Sequence, residues 1–419
     1  MQGALRRLRR RVRDAEEVSG VGKSKVRTIE RLESYVIPLI QQEGADARVA
    51  GFWPKALLAL LKGVSKVYGA VVWLRMWFFR IGVLRRWPLG CQVISVGNVT
   101  AGGTGKTPVV EIFARELTKQ GRKVAILSRG YRRKEKPFLQ RLFSDTIEPP
   151  LVVSDGRRVL LDSETGGDEP YMLASNLPGV VVLVDRNRVK SGRYAIRKFG
   201  CDTLVLDDGF QYQRLKHSHD IVLVDKTNPF GNGHLLPRGV LREGVQNLRR
   251  ADFIFITKSD GDSEALRARI RRLNHHAEII ECRHAPKRLR NVYAQGGRDL
   301  TWLKGKKILA LSGIAVPQSF EAFLKGYGAE LVECVRYADH HRYATQEVIN
   351  VVNRAADLGC DALVTTEKDA VRFPKLSATA VPVYYLRIEI EILQGAENFH
   401  DAVRHICFKP QKRDGGVEA

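Results

Sequence analysis

The sequence predicts an α/β protein that contains a parallel β-sheet, and three observations lead to this prediction. From Cys91 onward, short segments rich in β-branched residues alternate with segments of helical periodicity. A parallel sheet requires this alternation, because crossover helices connect its strands and cover its faces. A glycine-rich segment separates the first strand from the first helix, and three later strands are followed by aspartate. Both features are typical of sheets that bind phosphate at the carboxyl ends of their strands.

The composition supports a globular protein with an anionic partner. Hydrophobic residues make up 44% of the 419 residues and charged residues 27%, which excludes disordered, collagen-like and coiled-coil proteins. The length suggests two domains. The formal net charge is +23, so the partner is expected to be nucleic acid, a phosphorylated substrate or acidic lipid. No nucleic-acid-binding motif is found, and we therefore expect no nucleic-acid partner. The six cysteines are scattered singly, which predicts neither zinc nor disulfides.

The N-terminal part divides into two segments. Residues 1–50 are predicted to be a polar extension with one short helix around Glu30–Gln42. Residues 51–89 are predicted to form an amphipathic helix, because apolar residues recur at helical spacing and no Asp or Glu occurs between Asp46 and Glu111. This segment also contains four of the five tryptophans: Trp53, Trp73, Trp77 and Trp87.

The charges within this helix favour a position in the membrane surface. Four basic residues lie near one helical face: Lys55, Lys62, Lys66 and Arg80. The longest uncharged run after Lys62 is Val67–Leu74. That run is far shorter than the roughly 18 apolar residues of a spanning helix. A basic, tryptophan-rich helix predicts peripheral attachment to an anionic membrane surface. The alternative is a core helix of the folded domain, with its lysine stems reaching out to solvent.

Residues 90–285 are predicted to form the core domain and residues 286–409 a smaller α/β domain, joined near residues 285–300. The tail 410–419 is polar and expected to be frayed. The strands predicted in the core domain are Gln92–Val96, Lys123–Leu127, Val180–Val184, Thr203–Leu206, Ile221–Val224 and Phe253–Ile256. Helices are predicted at Pro108–Gln120, Glu169–Asn176 and Arg188–Phe199. The smaller domain is predicted to contain strands Lys307–Leu311, Leu331–Val335, Ala362–Val364 and Val383–Leu386, with helices Pro317–Tyr327 and Thr345–Leu358.

The first strand leads into a segment that matches a phosphate-binding loop. The segment GNVTAGGTGKT ends in Gly105, Lys106 and Thr107, and a helix follows. Backbone N–H groups of such a loop surround phosphate oxygens, the lysine contacts the β- and γ-phosphates, and the threonine hydroxyl can bind Mg²⁺. The strict motif has glycine where this chain has Thr100. The sequence therefore predicts a P-loop NTPase-like domain whose nucleotide-binding residues are Gly102, Gly103, Thr104, Gly105, Lys106 and Thr107.

A phosphate loop also requires an acidic residue for the metal ion. Asp185, Asp207 and Asp225 each follow a predicted strand and should lie along the carboxyl edge of the sheet. Asp207 is the best metal-binding candidate because Asp208 follows it directly, so the pair can divide its contacts between metal and substrate or water. A lone aspartate more often caps a helix or turn, and one of the other two is expected to do so.

Two other nucleotide-binding classes remain open on these residues. Thr257-Lys258-Ser259-Asp260 matches the TKxD element with which GTPases recognise guanine, so a P-loop GTPase is an alternative. The companion DxxG element is missing, since Phe210 stands three residues after Asp207. A partition-type ATPase at the membrane surface is conceivable from GGTGKT, although the additional lysine early in its loop is absent.

Seven sequence motifs, which occur in a fixed order along the chain, indicate a more specific function than the phosphate loop alone. They are VGNVTAGGTGKTP at 96–108, SRGYRRK at 128–134, GDEP at 167–170, DDGFQYQRL at 207–215, GNGHLLPRGVLRE at 231–243, ADHHRY at 338–343 and TTEKDAVRF at 365–373. Over residues 50–400 the chain closely resembles the tetraacyldisaccharide 4'-kinase family, the lipid A 4'-kinases of Gram-negative bacteria. It departs locally at Arg132-Arg133, where a glycine is common.

The resemblance implies an enzyme that transfers the ATP γ-phosphate to the 4'-hydroxyl of a tetraacyldisaccharide 1-phosphate, giving lipid IVA. It implies a peripheral location at the cytoplasmic face of the inner membrane, with ATP and Mg²⁺ as cofactors. Thr107 and Asp207 would bind the metal, and Asp208 would share in catalysis. The family's catalytic pair maps onto Asp168 and His340, a carboxylate hydrogen-bonded to an imidazole that acts as base. From the residues alone, Asp168 is equally explained as the N-cap of the helix beginning at Glu169.

Overall fold

A computed structural model describes residues 52–102, 105–130 and 148–408 of the chain. The predicted polar extension 1–50, its short helix and the tail 410–419 lie outside the described residues. Gly103 and Thr104 of the phosphate loop also lie outside them. The α/β fold class is confirmed.

The elements up to residue 273 follow the predicted alternation, with four elements that the sequence did not predict: Leu151–Asp155, Ser163–Gly166, Val245–Arg250 and Glu264–Leu273. The helices are α1 (Phe52–Arg80), α2 (Lys106–Lys119), α3 (Ser163–Gly166), α4 (Asp168–Asn176), α5 (Arg188–Phe199) and α6 (Glu264–Leu273), with a 3₁₀ helix at Val245–Arg250. The strands are β1 (Gln92–Asn98), β2 (Val124–Ser128), β3 (Leu151–Asp155), β4 (Val181–Val184), β5 (Thr203–Asp207), β6 (His219–Asp225) and β7 (Phe253–Thr257).

The remaining elements form the C-terminal half. The strands are β8 (Glu278–Asn291), β9 (Gly297–Arg298), β10 (Lys307–Ser312), β11 (Glu330–Arg336), β12 (Ala362–Thr366) and β13 (Val383–Gln394). The helices are α7 (Pro317–Gly326), α8 (Thr345–Asp357), α9 (Glu367–Ala370) and α10 (Ala396–Phe408), with a 3₁₀ helix at Leu300–Leu303.

One 13-stranded sheet runs through both halves in the order β11-β10-β12-β13-β8-β7-β6-β1-β5-β2-β4-β3, and β9 pairs with β8. Most neighbours are parallel, but β8 and β13 pair antiparallel over a long register from Tyr384–Asn291 to Gln394–Glu281. Strand β8 crosses the position where the two predicted domains were expected to join. The division into core and smaller domain stays a prediction.

Hydrophobic side chains on both faces of the sheet form the core. Around β1 the cluster includes Val109 and Phe113 of α2, which are fully buried against Phe255 and Phe399. Phe113 and Phe399 meet edge to face, with ring centroids 5.0 Å apart. This packing fixes α2 on the sheet and thereby positions the phosphate loop at its N-terminus.

The chain separates into two compact units, and the smaller one combines residues 52–72 with Phe230–Arg242. In this unit the Ser65 hydroxyl donates to the Leu235 carbonyl at 2.7 Å and accepts from the Arg238 N–H at 2.9 Å. The Tyr68 hydroxyl donates to the Arg242 carbonyl at 2.9 Å. The middle of α1 is therefore hydrogen-bonded along one face to irregular backbone. The larger unit contains the sheet.

Candidate active site

The phosphate loop has the predicted strand–loop–helix form. Every residue of β1 is buried, and α2 begins at Lys106 directly after Gly105. Gly105 has φ 79°, a left-handed conformation that favours glycine, and no side chain caps the helix. The first N–H groups of α2 therefore have no side-chain capping partner and can bind phosphate oxygens.

The loop lysine is held at the carboxyl edge of the sheet. Lys106 Nζ lies 3.3 Å from Asn98 Oδ1 and 3.5 Å from Asp208 Oδ1. A primary ammonium group in contact with one amide and one carboxylate can exchange these partners for phosphate oxygens. The structure thus places Lys106 and Asp208 together.

Asp207 and Asp208 follow from the register of the central strands. Strand β5 pairs with β1, so Asp207 lies beside Val96. A Cβ on Gly97 would lie 2.6 Å from Phe210 Cβ, so glycine lets the turn after Asp207 pack on the end of β1. Asp208 has φ 56°, a conformation uncommon for a residue with a side chain, and its carboxylate is partly exposed.

The Asp207 carboxyl has the electrostatic setting of a cation ligand. Its side chain is buried, and the Ser128 hydroxyl donates to Oδ2 at 3.3 Å. Burial raises the pKa of Asp207, and the neighbouring Glu169 and Asp208 carboxylates raise it further. A divalent cation would offset this accumulation of negative charge.

The residues present fit a magnesium ion. Thr107 is buried in the first turn of α2, and its hydroxyl with the Asp207 carboxylate would supply two oxygen ligands. Within the described ranges, no group of three His, Cys, Asp or Glu side chains is arranged to hold a metal. Magnesium keeps several waters and takes its other ligands from phosphates, so two protein oxygens would suffice to hold it.

The other two strand-end aspartates act as turn caps. Asp185 Oδ1 accepts from the Asn187 N–H at 2.8 Å. Asp225 Oδ1 accepts from the N–H and hydroxyl of Thr227 at 2.9 and 2.7 Å. The expected capping role is therefore found at both residues.

Asp168 does not cap its helix. Helix α4 begins at Asp168 itself, the N-cap position is Gly167, and no side chain caps it. The N-cap alternative is wrong. The carboxylate faces three cationic or titratable side chains instead: Arg372 Nε donates to Oδ2 at 2.8 Å, Arg342 Nη2 lies 2.9 Å from Oδ1, and His340 Nδ1 lies 3.5 Å from Oδ2.

His340 reaches Asp168 across a long sequence separation, and Arg372 contacts both side chains. Arg372 Nη2 is 3.1 Å from His340 Nδ1, shorter than the 3.5 Å from that nitrogen to Asp168. The two members of the predicted pair therefore lie together, and Arg372 is a third member of the cluster. Sequence analysis missed Arg372, although it lies within the TTEKDAVRF motif.

Glu169 is a second residue that sequence analysis missed. It follows Asp168 on α4, its charge contributes to the raised pKa of Asp207, and Lys368 Nζ lies 4.0 Å from its carboxylate. The Asp168–His340 pair and the phosphate loop therefore share one edge of the sheet. Glu169 could have been found from the sequence, because it follows Asp168 directly in the GDEP motif.

The TKxD element is built into the structure differently from a guanine-binding element. Lys258 pairs with Asp225, and Asp260 is exposed and pairs with Lys226. Both side chains of the element are thus engaged in ion pairs with strand-end residues. This observation gives no support to the GTPase alternative.

Comparisons with known proteins agree with the geometry. The family described as Tetraacyldisaccharide-1-P 4'-kinase matches residues 57–407. The tetraacyldisaccharide 4'-kinase of Halothermothrix orenii is 36% identical over 380 residues, covering 86% of this chain and 95% of that protein. The enzyme of the same name from Syntrophus aciditrophicus is 40% identical over 351 residues, covering 80% and 89%. The crystal structure of LpxK from Aquifex aeolicus in complex with ATP superposes with a TM-score of 0.66 at 27% identity, covering 84% of this chain and 100% of that one.

Proposed function

This chain belongs to the tetraacyldisaccharide 4'-kinase family, and we propose that the sheet edge just described is where it performs that reaction. The enzyme is an ATP-dependent kinase that phosphorylates the 4'-hydroxyl of a tetraacyldisaccharide 1-phosphate, giving lipid IVA. The GTPase and partition-type ATPase alternatives are not favoured, because the family match extends over nearly all of the described chain.

The nucleotide contacts follow from the loop geometry. The N–H groups at the start of α2 and Gly102, Gly103, Thr104 and Gly105 would surround the β- and γ-phosphates. Lys106 would leave Asn98 and Asp208 for the phosphate oxygens, where its charge stabilises the transition state. Thr107 and Asp207 would hold Mg²⁺, which neutralises charge on the phosphates when bound. Asp208, which follows Asp207 directly, would share in catalysis on the substrate side of the edge.

The single observation that supports our assignment of the acceptor side is the 3.5 Å distance between Asp168 Oδ2 and His340 Nδ1. Glu169, which follows Asp168, raises the pKa of Asp207, so the pair lies close to the metal-binding candidate. Phosphoryl transfer needs an oriented hydroxyl more than a strong base, because its transition state is loose. We propose that His340 accepts the proton of the 4'-hydroxyl and that Asp168 orients the ring. Arg342, half exposed and 2.9 Å from Asp168, holds that carboxylate in place.

Helix α1 supports attachment to an anionic membrane surface. Large apolar side chains spaced three, four or seven residues apart form an exposed row, the apolar stripe: Trp53, Leu60, Val64, Val67, Val71 and Leu74. Lys55, Lys62 and Lys66 lie on the opposite face. Only 11% of the most apolar 18-residue stretch of α1 is buried, which disfavours the alternative that α1 is a core helix.

In the described part of the chain, α1 is also the one helix long and apolar enough to cross a membrane by length and composition. Its hydrogen bonds argue for a surface position. Ser65, near the middle of α1, bonds to the irregular backbone at Leu235 and Arg238. Irregular backbone is not tolerated in contact with lipid in the hydrocarbon region. We propose that α1 lies in the interface as a peripheral anchor, at the cytoplasmic face of the inner membrane.

The kinase assignment is tested with purified protein, Mg²⁺ and γ-labelled nucleotide. We expect label from ATP to appear on tetraacyldisaccharide 1-phosphate, with GTP a poorer donor. Equal or better turnover of GTP without a lipid product would contradict the proposal. The position of α1 is tested by alkaline carbonate extraction of membranes, which should release the protein if α1 is interfacial and leave it in the pellet if α1 spans the bilayer.

A further inference from the structure

The side chain of Arg372 is completely buried and contacts both members of the proposed acceptor-side pair. Its Nε donates to Asp168 Oδ2 at 2.8 Å, and its Nη2 lies 3.1 Å from His340 Nδ1. Its side chain is 0% exposed. A guanidinium group carries donors and no acceptor. His340 Nδ1 must therefore be the acceptor in this contact, and a neutral His340 then carries its proton on Nε2.

That tautomer is the opposite of the one a base requires. For Nε2 to accept the proton of a hydroxyl, the ring must carry its own proton on Nδ1 and donate it to a carboxylate. Asp168 Oδ2 is the carboxylate oxygen in position, at 3.5 Å from Nδ1. Arg372 and Asp168 thus compete for the same ring nitrogen, and in this structure Arg372 is the nearer partner.

Arg372 is held firmly on its other side. Its Nη1 donates to Asp369 Oδ1 at 3.2 Å and to the Gly313 carbonyl at 3.4 Å. Asp369 is itself completely buried and accepts from the Tyr343 hydroxyl at 3.0 Å and the Thr366 hydroxyl at 2.6 Å. Moving the guanidinium would break its ion pair with a completely buried carboxylate and its bond to a buried carbonyl, which is costly. The imidazole is the easier group to move.

The backbone of His340 is consistent with a ring that changes partners. His340 has φ 62°, a conformation uncommon for a residue with a side chain, and its ring is partly exposed. Its N–H donates to the Gly313 carbonyl at 3.3 Å, and its Nε2 lies 4.0 Å from Asp339 Oδ2. A small rotation of the ring would bring Nδ1 to Asp168.

We propose that Arg372 is a positioning residue that sets the tautomer of His340. It holds the neutral ring with its proton on Nε2 in the absence of substrates, and the ring passes from Arg372 to Asp168 when ATP and the lipid acceptor are bound. In that second state Nδ1–H donates to Asp168 and Nε2 accepts the hydroxyl proton. The inference rests on the proposed role of the Asp168–His340 pair.

Nitrogen NMR of histidine-labelled enzyme tests the proposal directly, with His340→Gln to assign the signal. For the neutral ring without ligands, we expect an acceptor-type Nδ1 and a protonated Nε2. With a non-hydrolysable ATP analogue, Mg²⁺ and lipid acceptor, we expect the proton on Nδ1. A ring already protonated on Nδ1 without ligands, or an unchanged tautomer in the ternary complex, would overturn the proposal. Both results are read from the wild-type enzyme, and His340→Gln serves only to assign the signal.

Arg372→Lys supplies the second arm, because lysine keeps the charge but lacks the planar fork that contacts both partners. We expect its ligand-free His340 to shift toward the Nδ1–H tautomer. Turnover should fall about tenfold with the KM for ATP changed less than about twofold, since the loss is in orienting the acceptor side. Arg354→Lys, an exposed arginine paired with Glu333, is the matched control. A wild-type tautomer in Arg372→Lys would contradict the inference, whereas full turnover in His340→Ala would instead contradict the proposed function.

Discussion

The active-site edge and helix α1 differ in which side chains they bury and which they expose. At the edge, charged residues are buried: counted over the whole residue, Asp207 is 4% exposed and Arg372 is 5% exposed. On α1, apolar side chains are exposed: Trp53 is 80% exposed and Trp73 66%. Each arrangement costs free energy in an isolated soluble protein. On the proposed function, this difference reflects the partner that each region would bind, a nucleotide–metal complex at the edge and a lipid surface at the helix.

The two regions should therefore fail separately when they are altered. A change at the active-site edge should abolish phosphoryl transfer and leave membrane binding intact. A change on the exposed face of α1 should remove membrane binding and leave nucleotide binding intact, because the phosphate loop begins after β1. The following predictions test that separation, in order of decreasing effect.

The largest effect is expected from the phosphate loop and its acid. Lys106→Ala and Asp207→Ala should each reduce turnover by at least about 10²-fold, because each removes charge stabilisation of the transferring phosphoryl group. Circular dichroism and vesicle binding should match wild type. Lys119→Ala, an exposed residue of the same helix, is the control. Near-normal turnover in either variant at saturating ATP and Mg²⁺ would remove the nucleotide-site assignment.

The acceptor side should show strong but non-additive losses. Asp168→Ala and His340→Ala should each lower kcat by about 10²-fold or more, as expected when a general base is lost. The double variant should be scarcely worse than the worse single variant, because residues acting as one unit are not additive. Losses that simply multiply in a double-mutant cycle would show that the two residues act independently.

On the helix, replacing Trp53, Leu60, Val64 and Val67 by serine should weaken binding to anionic vesicles at least tenfold. Burial of a large apolar side chain contributes about 1.5–3 kcal/mol. Replacing Lys55, Lys62 and Lys66 by glutamine is the matched variant and should remove mainly the salt-dependent part, about 1 kcal/mol per charge. Co-sedimentation with vesicles at low and high salt separates the two. Equal salt dependence in both variants would contradict the assignment of faces.

The smallest effect concerns stability. Asp207→Asn should stabilise the ligand-free enzyme by about 1–2 kcal/mol near neutral pH, because it removes a buried carboxylate. The raised pKa of Asp207 determines the direction in which the stability of the wild-type enzyme changes with pH. The folded state favours the protonated form, so the wild-type enzyme loses stability as pH rises through the folded pKa. Thermal unfolding should show a larger advantage of the variant at pH 8 than at pH 5. An advantage that is absent or grows on acidification would refute this prediction.

The sequence was most informative where one local pattern determines the structure. The buried strand at Gln92–Val96, which extends to Asn98 in the structure, and the phosphate loop after it were predicted from one local pattern. A continuous apolar run followed by glycines and Lys-Thr has one common structural solution. Strand β8 was missed, since Pro286 and its many charged residues argue against a strand. Its antiparallel pairing with β13 gives one continuous sheet, a result that depends on contacts far apart in sequence.

The site was predictable to a different extent. Asp207 and Asp208 follow from strand position, whereas Asp168 and His340 were placed only by resemblance to a family. Arg372 was missed because a single arginine in a short motif is normally an exposed charge. Its burial depends on contacts far apart in sequence, with Asp168 204 positions away and with the Gly313 carbonyl.

The most direct test of the separation between edge and helix uses two acceptors with the same variants. One acceptor is tetraacyldisaccharide 1-phosphate in vesicles, and the other is a water-soluble short-chain disaccharide 1-phosphate. We predict that the serine variant of the apolar stripe loses turnover on vesicles but keeps it on the soluble acceptor, while His340→Ala loses turnover on both. Equal loss of the stripe variant on both acceptors would show that α1 belongs to the catalytic machinery and would contradict the account.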